Sequence, residues 1–164
     1  MLRPLALLLS AAATLFAQTL PDWSGTWQGT LVNLPARAGA NPVDVALEIG
    51  AFPAKDGACS AWRTTYKENG AVRQVKDYRL CRGAGAEDLY VDEGGLKLTA
   101  RLLGEVLVSP FKYDNVLLVS TTRLRADTLE QEILTVDDRP AVKGPLPLVP
   151  RSVQRIVLRR LPAR

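Results

Sequence analysis

Pro21-Asp22-Trp23-Ser24-Gly25-Thr26-Trp27-Gln28-Gly29-Thr30-Leu31-Val32-Asn33-Leu34 reads as one extended strand. Trp23, Gly25, Trp27, Gly29 and Leu31 fall on one face, and Ser24, Thr26, Gln28 and Thr30 on the other, following the two-residue period of β structure. Glycines set between the two tryptophans let neighbouring backbone come close, which suits a strand that bends sharply at the mouth of a closed sheet. Trp23 stands nearer the strand end and is expected to matter less than Trp27. The stretch predicts an architecture and no activity.

Upstream, Arg3 is followed by an apolar run from Leu5 to Phe16 that ends at the small residue Ala17. That order is the order of a secretory signal peptide. Roughly a dozen apolar residues fall short of the 20 or so that span a bilayer. Residues 1–17 are therefore expected to be cleaved, and residues 18–164 to form a single exported domain, periplasmic or extracellular. No cysteine stands at the expected cleavage point to carry a lipid. No second long apolar run follows, so no transmembrane segment is expected in the mature chain.

Downstream, strand follows strand. Val43–Ile49 alternates, Leu89–Val91 precedes the turn signal Asp92-Glu93-Gly94-Gly95, and Leu96–Leu102 sets leucines against Lys97, Thr99 and Arg101. Glu105–Phe111 comes next, and Val116–Arg125 with Thr128–Val136 reads as a hairpin around Ala126-Asp127. Asp127–Leu134 also fits a short helix. Four prolines interrupt residues 137–150, which reads as a long loop packed over one end of the domain or as an apolar partner-binding patch. The last strand, Arg151–Leu161, puts Val153, Arg155, Val157 and Arg159 on one face and Gln154, Ile156, Leu158 and Arg160 on the other.

Cys59 and Cys81 are the only cysteines. An even pair in an exported chain is expected to form a disulfide. Between them, Ala61–Lys67 and Val72–Leu80 flank Asn69-Gly70, a strong signal for a tight hairpin turn. Pairing outward from that turn sets Cys59 opposite Leu80, one residue from Cys81, an offset that a bulge or a three-residue loop would absorb. The same pairing gives Trp62, Thr64 and Tyr66 a face in common with Arg73, Val75 and Asp77.

The pattern is all-β, an antiparallel up-and-down barrel of eight to ten strands, with a β-sandwich as the alternative. Gly25-Thr26-Trp27 near the mature N-terminus, together with an arginine-bearing last strand, resembles the lipocalin and wider calycin superfamily. That resemblance implies that Trp27 closes one end of the barrel and that Arg155 or Arg159 packs across its indole, a contact of about 0.5–2 kcal/mol.

Chemistry is thinly represented. The chain has no histidine, which removes the commonest general base and metal ligand. With the cysteines bridged no thiol nucleophile remains, and neither Ser-x-x-Lys nor Gly-x-Ser-x-Gly occurs. The pairs Asp92-Glu93 and Asp137-Asp138 fall in turns and read as solvated charges. No enzyme, cofactor or metal site is expected. Lysine and arginine total 21 against 17 acids, net +4, but they are interleaved, so nucleic-acid binding is not expected either. What remains is the barrel interior. Trp62, Tyr66 and Arg73, with Tyr78 and Tyr90, have the aromatic-plus-polar composition of a small-molecule pocket, although the same residues would serve as stabilising pairs on an outer wall. Two functions compete: binding of a small apolar or amphipathic ligand, and a solid domain that meets another protein.

Overall fold

The computed structural model describes residues 22–36, 38–40, 42–85, 88–140 and 142–162. The expected signal peptide, residues 1–17, and its cleavage point lie outside the described residues.

Among the described residues ten strands follow one another: β1 (Gly25–Leu34), β2 (Val43–Ile49), β3 (Cys59–Glu68), β4 (Ala71–Arg82), β5 (Leu89–Asp92), β6 (Lys97–Leu103), β7 (Val106–Tyr113), β8 (Val116–Arg125), β9 (Thr128–Asp137) and β10 (Pro150–Arg160). Each pairs antiparallel with its chain neighbour, and β1 pairs with β10 to close an up-and-down barrel. The sandwich alternative is thereby set aside. Of the stretch Asp127–Leu134, Thr128–Leu134 lies in β9 and not in a helix, because both edges of the strand are taken up by ladders to β8 and β10. The proline segment connects β9 to β10 with most of its side chains exposed, and Asp137 N donates to Val149 O across its base at 2.9 Å.

Alternation decides which way each strand faces. Trp27 and Leu31 of β1, Val45, Leu47 and Ile49 of β2, and Ile156 and Leu158 of β10 are buried together. Trp23 and Trp62 join them at the end of the barrel where β1 begins. This end is plugged. Closure across the seam is tight at Gly29, where an added Cβ would fall on the carbonyl oxygen of Val157.

The β3–β4 hairpin turns at Asn69 (φ 51°) and Gly70 (φ 78°), the left-handed pair that a two-residue turn of this hand needs. Glu68 faces Ala71 and Lys67 faces Val72, but Tyr66 then faces Gln74. Arg73 is the extra residue of a bulge, and past it Cys59 lies directly opposite Cys81. The two are bridged. The bridge spans 22 positions, a loop whose closure stabilises by roughly 3 kcal/mol. Replacing both cysteines with serine should lower the urea-unfolding free energy by about 2–4 kcal/mol without abolishing the barrel. A double variant that melts with the parent would show that the bridge contributes nothing.

The wall is not of even height. β5 has four residues and pairs with β4 only from Arg79 to Arg82. β6 pairs with β7 only over Arg101–Leu103. Toward the open end, Ala71–Tyr78 of β4 and Ser109–Tyr113 of β7 therefore lack ladder partners among the described residues on the flanks turned toward β5 and β6. A lateral slot results, bordered by the Glu93–Leu96 turn. The Arg73 bulge on one of its edges and Pro110 on the other discourage pairing with a foreign strand.

Candidate ligand site

The plugged end is built first. Trp27 is fully buried, and its Nε1 donates to Trp23 O at 2.9 Å. Trp23 is 1% exposed, as buried as Trp27, so the two differ in hydrogen bonding and not in burial. Trp23 meets Phe52 and Trp62 edge to face, at 5.9 Å in each case. The guanidinium over Trp27 belongs to Arg160, at 4.5 Å, and not to Arg155 or Arg159. The reason is parity. Arg160 shares its face with the buried Ile156 and Leu158 and stands opposite Trp27 in the ladder. Arg155 and Arg159 point outward, near Glu132 (3.8 Å) and Asp127 (3.5 Å). Arg160 also donates to Ser24 O at 2.8 Å and Asp22 O at 2.6 Å, tying the lead-in to the last strand.

Above the plug the interior changes character. The bulge at Arg73 moves every later residue of β4 by one position, so the residues opposite Trp62, Thr64 and Tyr66 are Tyr78, Lys76 and Gln74. Of the residues proposed from sequence, Trp62, Tyr66 and Tyr78 line one interior cavity of about 100 Å³. Arg73 does not. It is exposed and ion-paired with Glu68 at 3.3 Å. Tyr90 sits opposite Cys81 on the outer wall, with the Lys97 ammonium 4.9 Å from its ring centre. Sequence reasoning missed Lys76 and Glu93, which also line the cavity. The cysteine spacing carried the missing signal, since pairing Cys59 with Cys81 requires a one-residue shift somewhere in the hairpin, and the structure places it as a bulge at Arg73.

Trp62 forms the cavity floor, touching the plug on its other side. Leu107, Ser109 and Phe111 of β7 stand on another side, and Ser120, Thr122, Gln131 and Ile133 of β8 and β9 complete the wall. Gln131 donates to Thr122 Oγ1 (3.1 Å) and Ser109 to Thr99 O (2.8 Å). The Lys76 ammonium lies 5.7 Å from the Tyr66 ring centre and 6.0 Å from that of Tyr78. Tyr78 donates its hydroxyl to Glu93. Burial first, then the Glu93 charge and that hydrogen bond, push the Tyr78 hydroxyl from its ordinary value of 10.0 up to about 12. Burial alone pushes Tyr66 up.

A native pKa above the unfolded one means that the unfolded chain releases its proton first. Tyr78 thus contributes stability in full below pH 10.0, and this is lost as pH rises toward about 12. Phenolate absorbance should show one tyrosine ionising near that upper value, and Glu93→Gln should bring it down. A late phase that survives Tyr78→Phe would assign it to another residue.

The paired carboxylates do not form an acid–base couple. Asp92 turns outward, accepting from Arg79 Nη2 (2.7 Å) and Gly95 N (2.8 Å), while Glu93 turns to Tyr78. Asp137 pairs with Arg151, and Asp138 with Lys112 at 2.9 Å. A second, larger depression of about 420 Å³ lies over β1 and β2, between Gln28, Thr30, Asp44 and Lys67. Those four side chains belong to the outward-facing set, so this hollow is on the barrel wall and brings no aromatic group to a ligand. Comparison with protein-family models, curated proteins and solved structures gives no match for this chain.

Proposed function

We propose that the protein is an exported, non-catalytic binding module, a calycin-type barrel that seats a small amphipathic molecule in its open half. One observation carries the reading: the interior divides into an apolar plug and a cavity where Lys76, Glu93, two tyrosines, Ser120 and Thr122 converge. Buried polar groups cost free energy when they lack partners, and aliphatic side chains would fill a purely structural barrel more stably. Aromatic walls with a few convergent polar groups are the composition of ligand sites. Export is supported by the disulfide, which suits an oxidising compartment, and by the leader-like composition of residues 1–17. Protein recovered from its host's exported fraction should begin within a few residues of Gln18.

Trp62 makes the cavity report on itself. Titration with small amphipathic probes such as phenols, indole and short acids should change tryptophan emission, and Trp62→Phe should remove most of the change. Silence across the panel would favour a second reading, that of a protein-docking domain. One observation speaks for it. Leu34, Val153, Leu134, Val119 and Pro110 are cross-strand neighbours in register, an apolar row across the outer wall of five strands.

A further inference from the structure

The chemistry of the cavity narrows what it holds, and the argument rests on the binding reading just given. Two groups in the cavity carry full charge, Lys76 and Glu93. They are not equivalent. Glu93 already accepts the Tyr78 hydroxyl. The Lys76 ammonium faces only the rings of Tyr66 and Tyr78, and among the described residues no carboxylate lies within 4.0 Å of it. Aromatic faces attract a cation but accept no strong hydrogen bond, so the three donors of this half-buried ammonium stay available to an oxyanion that displaces water. Size supplies the second constraint. A volume of about 100 Å³ is less than the about 150 Å³ of a closed apolar cavity known to hold one benzene ring, so the interior takes no more than one ring and the polar end of the guest projects into the open mouth. Shape supplies a third. Trp62, Tyr66 and Tyr78 stand on β3 and β4, and Phe111 stands on β7 beyond the slot, so aromatic groups come from more than one side, as suits a flat guest.

We infer that the ligand is a single-ring carboxylate, a molecule of the benzoate class, with its ring on the Trp62 floor and its carboxylate on Lys76. Long-chain acids share the head group but exceed the cavity, so chain length separates the two sources of the same chemistry.

Calorimetric titration of the full mature chain with benzoate, benzamide and hexadecanoate tests this. Benzoate should bind about tenfold more tightly than benzamide, the scale of a charge-assisted hydrogen bond over a neutral one. Lys76→Met should erase that preference and Lys76→Arg should keep it, with thermal melts showing both variants folded. Equal affinities for benzoate and benzamide, or an unchanged preference in Lys76→Met, would overturn the carboxylate assignment while leaving a binding module in place. Tighter binding of hexadecanoate than of benzoate would overturn the single-ring assignment. No heat and no change in Trp62 emission with any of the three, where neutral phenols do bind, would overturn the inference alone; silence toward phenols as well would remove the binding reading with it.

Discussion

Trp27→Ala should lower the unfolding free energy by about 3–5 kcal/mol, the cost of emptying a large aromatic site, and this is the largest single-residue effect expected in the chain. The indole is fully buried, carries the Arg160 guanidinium at 4.5 Å and donates to Trp23 O at 2.9 Å. Its removal therefore opens a cavity, strips one face from a cation and leaves a carbonyl without its donor. The two plug tryptophans should then part company on a gentler change. Trp27→Phe loses the hydrogen bond as well as volume. Trp23→Phe loses volume only, because Trp23 Nε1 has no hydrogen-bond partner among the described residues. Urea melts should rank Trp23→Phe above Trp27→Phe in stability. A Trp27→Ala protein within about 1 kcal/mol of the parent would contradict the plug.

Gly29→Ala should be the second most damaging change, at about 3 kcal/mol, the upper range for overpacking. A methyl group there meets backbone and not a yielding side chain: the Val157 carbonyl oxygen first, then Val157 C at 2.9 Å and Leu158 Cα at 3.0 Å. β1 and β10 would have to separate, and theirs is the pairing that closes the ring. Gly70→Ala provides the contrast. That glycine has φ 78° but open space around it, so only backbone strain is charged, on the order of 1 kcal/mol. Equal melting of the two variants would mean that the seam is looser than the structure has it.

Strand order was legible because several strands announce themselves by alternation and most connections by Gly, Asn, Asp or Pro. The last strand shows the limit of that reading. Its two faces were separable, but both carry arginine, so only the partners of Ile156 and Leu158 reveal that Arg160 is the inward one. The hairpin shows a subtler limit. A turn and a disulfide each fix a register, and here they differ by one residue. Following the turn places Arg73 inside and hides Lys76. Following the cysteines would have done the reverse. Local turn chemistry acts over a few residues, whereas the bridge constrains the hairpin at its far end, so the bulge that reconciles them leaves no compositional mark. The pocket was consequently read with the right aromatic residues on β3 and the wrong cation on β4.

The short β5 has a consequence for time as well as for shape. Paired rungs are fewest where β6 meets β7 and along both edges of β5, so local opening should begin on this flank and spread last to the β8–β9–β10 ladders. Amide exchange in β5 and at the start of β6 should therefore outrun the rest of the sheet. The Cys59–Cys81 crosslink holds the lower end of β4 against β3, which confines such breathing to one side of that strand. A guest in the cavity, resting on Val91 of β5, should slow that exchange, so protection of this flank would report on occupancy.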